Sequence, residues 1–188
     1  MKKLENYFLY LVVLGGRAEK ANIELHDVRW VVGSKIEDTY DTLKNDWFGS
    51  SKGLHIDSYK KIQYIDGHKI NLINFEKDKI EKKQLVKKNN TKKNLWFVNI
   101  GGYNPTSMME KHEFGLVIAS NKLEAKNIAK SKWLIGCKKK HYDDLASLEK
   151  IIKCDDCELI KKIGNWEIEL IPYNKFIEEN NYPDLYGY

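Results

Sequence analysis

The chain has 188 residues, room for one domain or two small ones and too few for a multidomain enzyme. Its residues are 42% hydrophobic, 31% charged and 12% aromatic, with a net charge of +5, which excludes disordered and collagen-like classes. None of the standard cofactor or catalytic fingerprints is present, so any function has to be read from a constellation of side chains.

The opening Met1-Lys2-Lys3 and the apolar run Tyr7 to Leu14 have the outline of a weak signal peptide. Glu5 interrupts it, however, and no small-x-small cleavage site follows. Eight apolar residues are also far short of the roughly 20 that span a bilayer. The run is expected to be a buried strand, Leu9 to Leu14, that Gly15-Gly16 leads into a loop with unusual backbone angles. A second strand is expected over His26 to Val32. Ser34 with Glu37 reads as a capping box ahead of a helix whose inward face is Ile36, Tyr40, Leu43 and Trp47. The unit closes with a hairpin: Ile62 to Ile65, the turn Asp66-Gly67, then Ile70 and Leu72 alternating with polar residues.

Between Glu76 and Asn94 eight lysines face three acids, so this stretch holds the whole net charge. Its polar Lys/Asn character predicts a solvated linker; a tether to nucleic acid or an anionic membrane is the competing reading.

The first unit then returns. With a shift of 86 positions, Tyr10 to Ser58 aligns without a gap to Trp96 to Asp144, with identities at Val12/Val98, Gly15/Gly101, Gly16/Gly102, Glu24/Glu110, His26/His112, Trp47/Trp133, His55/His141 and Asp57/Asp143. The second copy predicts strands Leu95 to Ile100 and His112 to Ala119. A helix opened by Ser120 follows, with Ala125, Ile128, Ala129 and Trp133 inward, and then a hairpin from Leu159 through Gly164-Asn165 to Leu170. An insert, Asp144 to Asp156, adds a short helix at Asp144 to Ile152. The expected fold is α+β: two fused ββαββ repeats, antiparallel sheet with helices on one face, related by a pseudo-twofold axis. The expected boundaries are 1–75 for the first unit, 76–94 for the linker, 95–173 for the second unit and 174–188 for the tail.

Gly15-Gly16-Arg17, Asn22-Ile23-Glu24-x-His26-Asp27, Gly53-x-His55-Ile56-Asp57 and Asp66-Gly67 together resemble the bacterial domain-of-unknown-function family 1543, whose members carry one or two copies of the domain. The second copy departs at Met108-Met109 and Glu113. The resemblance implies domain organisation and no activity.

The chemistry-bearing set is Glu24, His26, Asp27, His55 and Asp57, answered by Glu110, His112, Glu113, His141 and Asp143. Four of the five histidines fall in it. Two apart on a strand, Glu24 and His26 share a face, as do His55 and Asp57, while Asp27 points away. Should the two segments of each copy meet beside the glycine pair, each unit offers two imidazoles and several carboxylates. Such a set serves as a loop clamp, a polar ligand or acid/base site, or a ligand set for a divalent transition metal. Gly15, Gly16, Gly101 and Gly102 read as loop glycines.

Cys154-Asp155-Asp156-Cys157 has the spacing of half a zinc site, but only Cys137 and His141 could complete it, and the aspartates disfavour thiolates. The three cysteines are expected to be reduced and structural, in the cytoplasm. The function expected is a binding module for a small molecule or protein, with no cofactor, no nucleic acid and no membrane, acting as a monomer or weak dimer. The alternative is a hydrolase or isomerase, with or without a metal, using the His/carboxylate groups.

Overall fold

The computed structural model describes residues 6–74, 92–104, 106–137, 139–141, 157–173 and 182–187, with the backbone alone at 139–141. Most of the Lys-rich stretch, Asp143, Cys154, the insert with its expected helix, and residues 174–181 lie outside the described residues. The rest is mostly antiparallel sheet with two α-helices among the described residues, an α+β arrangement. The chain divides into two compact units, one of residues 1–82 and 162–188, the other of 83–161.

In the first unit, β1 (Phe8–Gly16) is the middle of a sheet. It pairs with β2 (Leu25–Gly33) on one side and β3 (His55–Ile62) on the other. A continuous apolar run makes β1 central, because both its faces are covered: Leu9 and Val12 are fully buried. Tyr10, Val12 and Leu14 pack with Val31, Ile36, Leu43 and Trp47 into the core beneath the helix.

The Gly15-Gly16 pair departs from expectation, because both residues stay inside β1, Gly15 opposite His26 and Gly16 opposite Leu25. Gly101 and Gly102 likewise lie inside β6 (Asn94–Tyr103), facing His112 and Lys111. None of the four has positive φ, so they are not loop glycines. At Gly15 and Gly16 the reason is space. A Cβ on Gly16 would come within 2.9 Å of the Trp47 ring, and one on Gly15 within 2.8 Å of His55 and Asp57.

The helix also differs in detail. Ile36–Thr39 forms a 3₁₀ turn and α1 spans Tyr40–Asp46, leaving Trp47 extended beyond its end. The tighter turn rotates Thr39 inward, where its Oγ1 donates to the Ile36 carbonyl at 2.7 Å, and leaves Tyr40 exposed. Asp38 rather than Glu37 anchors the start, accepting from Ser34 N, Ser34 Oγ and Lys35 N.

At Gln63 the chain leaves the first sheet for a second one, in which β4 (Tyr64–Ile65) and β5 (His68–Asn74) form the expected hairpin. Asp66 and Gly67 both have positive φ, as a two-residue type I′ turn requires. β5 then pairs with β11 (Trp166–Pro172), which closes its own hairpin with β10 (Lys162–Ile163), giving the order β10-β11-β5-β4. Ile70 faces Leu170, Leu72 faces Ile168, and Asn71 donates to Glu169 at 2.8 Å. Near the chain end, β12 (Leu185–Tyr186) adds to the outer edge of β3.

In the second unit, β6 pairs with β7 (Lys111–Ala119) on one side and with β8 (Lys139–His141) and β9 (Cys157–Ile160) on the other. Its helix α2 (Lys122–Lys132) is capped by Asn121, one residue after the expected Ser120. Ala125 and Ala129 are fully buried against Val98, Ile100 and Val117, with Ile128 and Trp133 packed at the margin. Cys157 is buried in this core and Cys137 half-buried, neither of them in a disulfide.

Candidate functional site

The first unit assembles its candidate residues on the Gly15 face of the sheet. Gly15 is paired with His26 on one side and His55 on the other, so both imidazoles flank a residue with no side chain. The β1–β3 register slips beside this rung. Val13 pairs with Ser58 and Leu14 with Ile56, leaving Asp57 as an extra residue in a bulge. Bulges beside functional sites re-aim a side chain. Here Asp57 reaches both rings, Oδ2 at 3.0 Å from His26 Nε2 and Oδ1 at 3.0 Å from His55 Nε2. Glu24, immediately before β2, spans the same pair, Oε1 at 3.5 Å from His55 Nε2 and Oε2 at 3.9 Å from His26 Nε2. Two carboxylates thus bridge two imidazoles.

His55 is oriented from behind. Its Nδ1 is 2.8 Å from the Gly53 carbonyl, which can only accept, so Nδ1 carries a hydrogen and Nε2 is the end turned to the acids. The Gly53 carbonyl, followed by the negative charges of Asp57 and Glu24, raises the His55 pKa above the usual histidine value. The bulge is held from the other edge, where Gly187 N donates to the Asp57 carbonyl and Asp184 Oδ2 accepts from Lys61 N.

Exposure separates a site from a clamp. The side chains of His26 and His55 are 54% and 36% accessible, and those of Glu24 and Asp57 42% and 30%. Asp27 stands apart, accepting from Val28 N and pairing with Arg29 on the opposite face. Among the described residues no group of three or more His, Cys, Asp or Glu is arranged to hold a metal ion.

The second unit repeats the backbone placement, since Gly101 is paired with His112 on one side and with His141 on the other. Its described side chains repeat the Glu24–His26 contact and depart at the acid that follows the histidine. His112 Nε2 lies 3.7 Å from Glu110 Oε2, and Glu113 accepts from Leu134 N beyond the end of α2. Asp143 and the His141 side chain lie outside the described residues.

Sequence reasoning missed three contributors: Gly15 as the floor between the rings, the Gly53 carbonyl, and the tail strand behind Asp57. Only the first left a signal, a glycine identical in both copies.

Fold and site together define an α+β protein that carries an accessible His/carboxylate cluster on one face of its first sheet. The chain belongs to the Domain of Unknown Function family DUF1543, whose model matches residues 21–72 and 107–170, in keeping with two tandem copies. It is also similar to the crystal structure of a protein Il1583 from Idiomarina loihiensis, at 27% identity and a TM-score of 0.65 over 97% of this chain and 96% of that one. No curated protein matches the chain. Among the described residues no helix is long and apolar enough to cross a membrane.

Proposed function

We propose that the chain is a binding module for a small polar ligand, taken up at Glu24, His26, His55 and Asp57. The observation that carries this reading is convergence with exposure: four ionisable side chains meet over a bare glycine while each keeps about a third or more of its surface open. Ion pairs so exposed contribute only roughly 0 to 1 kcal/mol, so stability alone gives little reason for a bulge that brings Asp57 to both rings. The test is thermal melting of His26→Ala and His55→Ala. A binding site leaves the melting temperature nearly unchanged, whereas a clamp loses on the order of 1 to 3 kcal/mol through stranded polar partners.

A second reading, an acid/base hydrolase or isomerase, draws on His55 alone. Its ring is locked by Gly53 and faces a carboxylate, the orientation a general acid or base needs. Turnover of ester or phosphoester substrates abolished by His55→Ala would favour it.

The reading extends to two ββαββ repeats whose hairpins β4-β5 and β10-β11 meet about a local twofold axis. The support is the register: Asn71 pairs with Glu169, its own equivalent 98 positions on. The protein is taken to act in the cytoplasm as a monomer or weak dimer, which light scattering tests.

A further inference from the structure

We propose that β12 is a strap that positions the cluster: pairing with β3 over the bulge, it holds Asp57 against both histidines, and its release from the sheet lets Asp57 draw away from them. This rests on the binding reading above in calling the cluster a site, whereas the placement of Asp57 is tested without a ligand.

The contacts fall on the bulge itself. Leu185 and Tyr186 pair with Tyr59 and Ser58, the two residues that follow Asp57. Asp184 N donates to the Tyr59 carbonyl and Gly187 N to the Asp57 carbonyl, each at 2.9 Å, while Asp184 Oδ2 accepts from Lys61 N at 2.6 Å. Gly187 reaches Asp57 with a φ of 68°, and a Cβ there would meet nothing within 4 Å, so glycine stands at this position for its backbone and not for space. The Asp57 main chain is thus fixed by β12 while its carboxylate spans His26 and His55.

Pairing with β1 alone does not fix this stretch, because the β1–β3 register slips between Val13 and Leu14. The second unit gives independent support. There Gly101 pairs with His141 and Val98 with Cys157, corresponding to Gly15 with His55 and Val12 with Tyr59, and the insert Asp144 to Asp156 lies between the two rungs. The sheet therefore admits extra chain at the place that β12 covers in the first unit. β12 is also lightly held. It is two residues long, and Tyr182 before it and Tyr186 within it are 79% and 78% exposed. An edge strand with so little buried surface opens before the sheet it joins.

The test is NMR on the full chain and on three variants: deletion of residues 182–188, Asp184→Ala, and Gly187→Pro, which removes the N–H that the Asp57 carbonyl accepts. In wild type the Lys61 and Gly187 amides are expected to exchange with solvent about tenfold or more faster than the amides of β1. In the deletion the His26 and His55 ring shifts move, and the His55 titration midpoint falls toward that of Asp57→Asn, because Asp57 is one of the charges that raise it. The same deletion made in Asp57→Asn leaves the midpoint where it was. Asp184→Ala and Gly187→Pro give part of the shift, and Asp184→Asn, which keeps an acceptor for Lys61 N, restores the wild-type midpoint. A midpoint that drops equally in Asp184→Ala and Asp184→Asn reports a lost charge and overturns the proposal. So do ring shifts and a midpoint unmoved by the deletion, and so does Lys61 exchange as slow as that of β1. Unmoved rings leave the binding reading standing, since that reading falls only if His26→Ala and His55→Ala lose melting temperature.

Discussion

Gly15 and His55 face each other across the β1–β3 pair, and a single methyl group on the glycine would lie 2.8 Å from the imidazole Nε2. The atoms that such a methyl meets are the ends of accessible side chains, which can turn away. Gly15→Ala is therefore expected to leave the melting temperature within a few degrees of wild type while displacing His55 and Asp57, read as changed ring shifts of His26 and His55.

Gly16 and Gly115 are the contrasting case. An added Cβ would strike the Trp47 ring at 2.9 Å and the Trp133 ring at 2.7 Å, and both rings pack against their unit's core. Overpacking of that kind costs about 1–3 kcal/mol, so Gly16→Ala and Gly115→Ala should each lower the denaturation midpoint in urea. A midpoint unchanged in both would mean that the rings move freely.

His55 should titrate above the usual histidine value of about 6.5, because the Gly53 carbonyl, Asp57 and Glu24 all favour the imidazolium. A pKa raised by folding means that the charged form is stabilised in the native state. Its contribution is fully present below the unfolded value and is lost as pH rises through the folded one. Asp57→Asn should lower the His55 midpoint in an NMR titration; an unmoved midpoint would show that Asp57 does not contribute.

Asp38 and Glu124 give the opposite pH dependence. Ser34 holds the Asp38 carboxyl below its ordinary range, chiefly through its hydroxyl, and the Ser120 backbone N–H does the same for Glu124. Such a contribution is present above the unfolded carboxylate pKa and is lost as pH falls through the lowered native one. Melting temperature recorded against pH should therefore fall less steeply on the acid side in Asp38→Asn than in wild type.

The hairpin sheet predicts a larger effect. Leu170 and Ile70 are both buried and directly opposed between β11 and β5. Leu170→Ala should destabilise the chain by about 2–5 kcal/mol, and Ile70→Val by about 0.5–1.5 kcal/mol. Urea denaturation of the two variants checks the ratio.

What the sequence by itself determined was everything carried by local pattern and by repetition. The apolar runs marked β1 and β6, the Asp66-Gly67 dipeptide marked a hairpin turn, and the shift of 86 positions paired every candidate histidine with its counterpart. It also put Glu24 with His26 on a shared face, since a strand alternates with period two, whereas Asp57 joins His55 through the bulge. Tertiary structure decided what period alone cannot express. The glycine pairs read as turns because glycine is usually explained by its own backbone, whereas Gly15 and Gly16 are explained by neighbours distant in sequence, His55 and Trp47. The bulge at Asp57 is a property of two strands together and leaves no trace in either. The partner of β5 is a strand about 98 positions further on, chosen by which apolar edges could bury each other.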